Sequence, residues 1–374
     1  MAANARNGGS YKAYERITAY AMFAPAAILL TVFLIVPFVL AFGLSLTDQP
    51  LVPRLETVTD PQTGETIQRQ RPPDFIGLEN YQELLRLKLF VVDPQVDEET
   101  GEIVRDENGN PVFERSRTYL RPERLEELVQ IDLFGKRYLL GAGDATFYRS
   151  LLNILYFVIV VVPLQTSLAL LLAILVNQKI VGANLYRTIY FSPVVTAMAI
   201  VAVLWFFLYN PDEGLINTFL GALGLGPYQW LEHPASAMPA IILMSIWQGV
   251  GFQMVIFLAG LQEIPEALYE ASALDGANIF QQFRYITLPS LRNTTLFVII
   301  STTILAFKLF VQVDVMTFGR GGPQNATITT VLHMVNEGFR SSQQVGYASA
   351  IAVIFVIIVL SISLIQRRIL EQED

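Results

Sequence analysis

The chain has 374 residues, is 53% apolar and only 16% charged, and carries a net charge of −8 with no cysteine. Its mean hydropathy is positive. These figures exclude disulfide staples and thiolate metal sites, and a soluble core of this size would not string its apolar residues so continuously. No nucleic-acid partner is expected. The acidity sits in one place: residues 47–145 hold twelve Lys/Arg against twenty Asp/Glu, and the remainder is balanced.

A spanning helix needs roughly 20 mostly apolar residues. The long charge-free runs predict an all-α polytopic membrane protein with six transmembrane helices. Residues 1–19 precede span 1 (20–46, about Tyr20–Leu46), which is too long for a signal peptide and lacks a clean small-x-small cleavage site. Pro25 and Pro37 predict that this helix is bent and packed. Residues 47–145 form a small extracytoplasmic insert of soluble composition. Turn signals at Asp60–Glu65, Glu98–Glu102 and Asp106–Pro111 give it some β-hairpin content, with short helices over Leu78–Tyr81 and Pro122–Leu133. Its apolar content is thin, so it is read as a small cap on the membrane domain or as a partly disordered loop. The core, 146–366, carries span 2 (about Leu151–Val176), span 3 (Ile189–Tyr209) and span 4 (Ala237–Leu261). Span 5 (Thr294–Met316) and span 6 (Val345–Gln366) follow, before residues 367–374.

Short cytoplasmic loops retain Lys and Arg. Arg6, Lys12, Arg16, Lys179, Arg187, Arg284, Arg292, Arg367 and Arg368 fall on one side, against Arg320 and Arg340 in the short loops of the other. Both termini are therefore expected in the cytoplasm, together with the loop 263–290. That loop starts a helix at Pro265, with Glu263 and Glu266 at its positive end. Alanines and leucines carry the helix to Leu274, Gly276 turns the chain, and a second helix (Asn278–Thr287) ends at Pro289. Two short helices joined by a glycine corner make a knob. Its exposed Leu268, Ala271 and Leu274, flanked by Glu270 and Asp275, suggest a partner groove.

The segment Glu270-Ala271-Ser272-Ala273-Leu274-Asp275-Gly276, with Ile286-Thr287-Leu288-Pro289 downstream, resembles the signature of permease subunits of binding-protein-dependent ABC importers. Ser272 stands where the family has alanine. Gly249-Val250-Gly251-Phe252, Phe75–Tyr81 and Gly321-Gly322-Pro323 are similar to the carbohydrate-type branch, typified by the larger maltose-type permease. The resemblance covers the six spans and their short loops. It implies a bacterial inner-membrane protein in which the knob couples to an ATPase through Glu270, Ala271, Ser272, Asp275, Gly276 and Pro289. The implied partners are a second permease subunit, two ATP-binding cassette subunits, an extracytoplasmic solute-binding protein and membrane lipid. The chain has no G-x-x-x-x-G-K-[ST] phosphate loop of its own, so it is expected to be a transport subunit rather than an enzyme. No cofactor is implied. The stretch from Thr317 to Gly321-Gly322 is longer than the family pattern.

Polar groups inside spans are functional suspects. Lys308 either lines the path or snorkels or pairs structurally, with Gln312 one turn on. Gln165 and Gln253 read as interhelical hydrogen-bond partners. Resemblance to the maltose-type permease points to Ser245, Trp247, Gln248 and Gly249, with Thr302, Ala306 and Leu309, beside a sugar-like substrate. Gln248 and Trp247 offer the hydroxyl partners and apolar face that a pyranose needs; ordinary packing or an interfacial anchor also explains Trp247. His233 and His333 lie in or near outer loops without zinc or triad spacing, so no catalytic or metal residue is expected. The expected cargo is a sugar or short oligosaccharide, the alternative being glycerol phosphate or another polyol derivative. A secondary transporter would want inverted repeats and ion-coupling carboxylates, and Asp314 alone is too little.

Overall fold

The computed structural model describes residues 7–59, 66–97, 102–107, 109–178 and 182–371. Helices α1 (Asn7–Leu30) and α2 (Val36–Ser45) run on through a π-helical turn at Thr31–Ile35. The widened turn lies just before Pro37, whose ring has no N–H to return to the Phe33 carbonyl. The rod is not packed as expected. Among its described side chains Ser45 alone is buried, and Phe33 is 75% exposed. Its apolar surface runs all the way round, as in a helix that faces lipid.

Strands β1 (Leu55–Thr59) and β2 (Thr66–Gln70) pair antiparallel; the turn expected at Asp60–Glu65 lies outside the described residues. Helix α3 (Glu79–Leu85) is followed by β3 (Leu87–Val92), α4 (Ser116–Leu120), β4 (Glu126–Leu133) and β5 (Lys136–Ala142). The last three strands form an antiparallel sheet in the order β3-β5-β4. Antiparallel bridges Val96–Ile103 and Arg105–Pro111 flank the two further turn signals, of which residues 98–101 and 108 lie outside the described residues. The helix expected over Pro122–Leu133 is instead a turn and a strand. Arg124 takes φ +52°, and Val129, Ile131 and Leu133 alternate with polar residues at the period of two that suits pairing with β5.

Helices α5 (Ala145–Asn177), α6 (Ala183–Val195), α7 (Met198–Leu208), α8 (Leu215–Ala222) and α9 (Pro234–Gln262) follow. Then come α10 (Glu266–Leu274), α11 (Ile279–Gln282), α12 (Leu288–Ser290), α13 (Arg292–Phe307), α14 (Val311–Met316), α15 (Thr330–Val335) and α16 (Val345–Glu371). Four helical stretches among the described residues are long and apolar enough to cross a membrane, and six if each of two bent pairs is one span. Span 3 is such a pair: α6 and α7 meet at 98°. Pro193 frees the Ile189 carbonyl, which the Ser192 hydroxyl takes up at 2.9 Å, and the helix stops two residues later. Span 5, expected to run to Met316, breaks at Lys308–Phe310 between α13 and α14.

The chain divides into two compact units. One comprises the chain through Tyr81 with Glu337–Val353. In it, Phe75–Tyr81 closes the end of α2: the Ile76 and Gly77 amides donate to the Leu46 carbonyl (2.9 and 3.1 Å), and Asn80 Nδ2 donates to the Ser45 and Thr47 carbonyls. The other comprises Gln82–Asn336 with Ile354 onward. Its larger core gathers Ile154, Phe157, Met244, Phe307 and Leu332, and a second gathers Ala173, Met254, Phe257 and Val298. The three-stranded sheet packs on Leu120, Leu125 and Leu139 and rests on the head of α5. There Glu126 accepts from the Ala145 amide (3.2 Å) and Arg149 donates to the Glu127 carbonyl (3.2 Å). This part of the insert is a cap. Asp144 closes the same helix end, accepting from the Phe147 amide at 2.7 Å, and its second oxygen lies 2.7 Å from Nε2 of buried His333.

Candidate functional site

The loop after α9 folds as an elbow. Pro265 stands just outside α10, as its N-cap. The helix ends in a Schellman arrangement: the Gly276 amide donates to the Ala273 carbonyl (3.1 Å) and the Ala277 amide to the Ser272 carbonyl (2.9 Å). Gly276 takes φ +82°, where a Cβ would be penalised. Asn278 then starts α11 with a capping box completed by Gln281. The second arm does not stop at Pro289. It widens into a π-helical turn at Phe283–Thr287 and continues through α12, because a proline in a first turn has no donor to lose.

Side chains tie the two arms together. Gln282 Nε2 donates to the Ser272 hydroxyl (2.9 Å), which donates to the Tyr269 carbonyl (2.9 Å), and the Tyr269 and Thr287 hydroxyls meet at 2.9 Å. Ser272, the departure from the family pattern, is thus the knot of this network. Glu270, Ala271, Asp275, Gly276 and Pro289 are exposed and Ser272 is half-buried. Leu274 is 90% and Ile279 86% exposed, with Phe280 beside them in sequence and also exposed. So much apolar surface on a polar elbow is the composition of a docking face.

A cavity of about 320 Å³ opens among α5, α9, α13 and the break after α13. Ser245, Gln248, Gly249, Thr302, Ala306, Lys308 and Leu309 all line it, which brings seven of the eight expected path residues together. Trp247 is not among the lining residues. It is 41% exposed and packs at 5.5 Å on Trp205, itself 5.3 Å from Tyr209. Two positions from Ser245, Trp247 is rotated by about 200° on the helix, to the side opposite the lining residues Ser245, Gly249 and Phe252. Phe157 and Phe252 provide the apolar wall instead. Ser245, Gly249 and Phe252 recur at helical spacing, a stripe readable in the sequence as one face of span 4.

The polar lining is amide-rich. Gln165, Gln248, Gln253 and Gln312 all reach it, and each carboxamide carries donors and an acceptor. Gln253 Nε2 donates to Thr302 Oγ1 at 2.5 Å, while its buried Oε1 has no partner among the described residues. Gln165 lies where a Cβ on Gly249 would be, so the glycine makes room for the amide. Lys308 lies where the helix breaks, at the C-cap of α13, and is the one charged group in the lining among the described residues. Gln165 and Gln253, read from sequence as interhelical partners, are lining residues as well.

The family described as binding-protein-dependent transport system inner membrane component matches residues 146–372. The lactose transport system permease protein LacF of Rhizobium radiobacter is 34% identical over 227 residues, 60% of this chain and 76% of its own. The trehalose/maltose transport system permease protein MalF of Thermococcus litoralis is 34% identical over 234 residues, 63% of this chain and 78% of its own. Among solved structures, a bacterial ABC transporter involved in the import of the acidic polysaccharide alginate has a chain that shares the fold. Its TM-score is 0.61 at 19% identity, covering 97% of this chain and 98% of that one.

Proposed function

Because the chain belongs to the inner-membrane components of binding-protein-dependent transport systems, we propose that it is the permease through which a sugar or short oligosaccharide crosses the membrane. The observation that carries this reading is the amide-lined cavity with its phenylalanine walls. Hydroxyls of a pyranose need both donors and acceptors, and its C–H face needs an aromatic or apolar partner. Two sugar permeases at 34% identity support the same cargo class. Glycerol phosphate remains the second reading, favoured by the single ammonium of Lys308 in a lining without carboxylates.

The elbow is the coupling device in this reading. Two ATPase subunits bind at the cytoplasmic face, where both termini also lie, and a second permease chain completes the path. A solute-binding protein docks outside, on the side of the 47–145 insert. ATP-driven closure of the ATPases displaces the elbow and opens the cavity outward; hydrolysis resets it. Glu270, Asp275 and the exposed Leu274 and Ile279 make the contact, and the Ser272–Gln282 knot keeps the two arms moving as one.

The test is uptake of labelled lactose, maltose, trehalose and sn-glycerol 3-phosphate by proteoliposomes holding the assembly, with binding protein outside and ATP inside. ATP-dependent accumulation of a saccharide is expected. Uptake driven by a proton or sodium gradient without the ATPases refutes the mechanism, and uptake of glycerol phosphate alone refutes the cargo.

A further inference from the structure

A second cavity, of about 510 Å³, lies at the opposite end of α9 from the elbow. Leu231 and Glu232, just before α9, line it, together with Phe206, Tyr209 and Asn210 at the end of α7 and Phe318 and Arg320 after α14. Phe318 holds φ +52°, a conformation that a bulky residue pays for in strain and keeps only where its surroundings enforce it.

The enforcement is visible. The Gly319 amide donates to the Asp314 carbonyl (2.8 Å), the Arg320 amide to the Thr317 carbonyl (3.0 Å), and Asn336 Nδ2 to the Gly319 carbonyl (3.1 Å). So fixed, the Phe318 ring stands edge-on to Phe206 at 5.2 Å and remains 72% exposed. Around it are polar groups whose hydrogen-bonding capacity is not used up among the described residues. The Arg320 guanidinium and the Glu232 carboxylate line the same cavity, yet neither forms an ion pair with the other or with any described residue. Asn210 accepts the Asp212 and Glu213 amides on Oδ1 (2.9 Å each), which leaves its Nδ2 without a partner among the described residues.

We propose that this cavity is a second saccharide subsite, which holds one pyranose ring at the outer mouth before it reaches the amide-lined cavity. The C–H face of the ring packs on Phe318, and Arg320, Glu232 and Asn210 Nδ2 bind its hydroxyls; a guanidinium and a carboxylate each present paired atoms that match neighbouring hydroxyls. The proposal rests on the carbohydrate reading of the transporter. The row Tyr209–Trp205–Trp247 continues from this cavity to the helix turn that carries Gln248.

The native chain has no cysteine, so Glu232→Cys gives the full assembly's permease one thiol at the cavity rim and Glu213→Cys one outside the lining. With the binding protein omitted, lactose, maltose or trehalose (whichever the wild type transports) at 10 mM should slow labelling of Glu232→Cys by an impermeant maleimide about fivefold or more, the protection that a Kd of about 2.5 mM or tighter gives at that concentration, and leave Glu213→Cys unchanged. Phe318→Gly removes the strain, so it should fold at least as well as wild type yet raise the transport KM about fivefold with kcat nearly unchanged. Equal labelling with and without saccharide overturns the subsite. So does a Phe318→Gly variant that loses ATPase stimulation by the binding protein at an unchanged saccharide KM, which marks the loop as a protein contact. If the wild-type assembly transports no saccharide, the carbohydrate reading falls and takes this subsite with it.

Discussion

Gly251 lies on α9 where α6 crosses it, and Gly251→Ala tests that packing. A Cβ there would stand 2.7 Å from the Tyr190 carbonyl carbon and 3.0 Å from Phe191 Cα, and closer still to the Tyr190 oxygen. All three are backbone atoms, so no side chain can swing aside. Carbon atoms prefer about 3.5–4.0 Å, so the two helices must part by about 1 Å. Overpacking of this kind costs about 1–3 kcal/mol, and the better helix propensity of alanine returns about 1 kcal/mol at most. A net loss of about 1–2 kcal/mol corresponds to a Tm lower by roughly 2–8 °C in a domain of this size, read by thermal unfolding of the detergent-solubilised protein. Gly221→Ala on α8 is the control, since nothing lies within 4 Å of its Cβ position, and its Tm should hold or rise. A Gly251→Ala protein as stable as wild type would refute the close crossing.

Gly276→Ala meets no atom within 4 Å but must hold φ +82°, a local cost of about 1–2 kcal/mol. Its transport rate should fall, with the Tm lower by no more than that of Gly251→Ala, and an unaffected rate would remove Gly276 from the coupling role. Glu270→Lys changes an exposed side chain, so the permease should accumulate normally while co-purification of the ATPase subunits and transport are lost. Asp144→Ala removes both the cap of α5 and the partner of buried His333. Loss of a cap costs about 1 kcal/mol and an orphaned buried polar group about 1–3 kcal/mol, so hydrogen exchange at the head of α5 should quicken at least tenfold. Gly249→Ala would overlap Gln165 Nε2, the free end of a flexible side chain. It should raise the cargo KM and leave the Tm nearly unchanged.

The elbow was legible in the sequence because its signals are local: Asn278, Gly276 and the alanine-rich stretch act over one or two turns. Six of the lining residues were legible through resemblance, and Lys308 as a charge inside an apolar span. What escaped needed tertiary partners. Apolar runs fix the number of residues near a membrane but not their direction: Pro193 marks where span 3 breaks but not its 98° angle, and no proline marks the break at Lys308. Trp247 was placed by its chemistry, whereas its face is set by the 100° step of the helix. Residues 126–133 read as helix by content, and β5 supplied the edge that made them a strand. Ser272 shows in the sequence only as a departure from alanine, because its partner Gln282 lies on the other arm.

Helix α9 is continuous over 29 residues, a rod of roughly 44 Å, with Gly249 and Gly251 near its midpoint. Those glycines let neighbouring chain come nearest, while buried residues from Ala237 to Leu261 hold the rod along its length. A displacement at its elbow end would therefore be carried by one stiff element past Ser245, Gly249 and Gln253, so the cavity wall shifts as a piece rather than residue by residue.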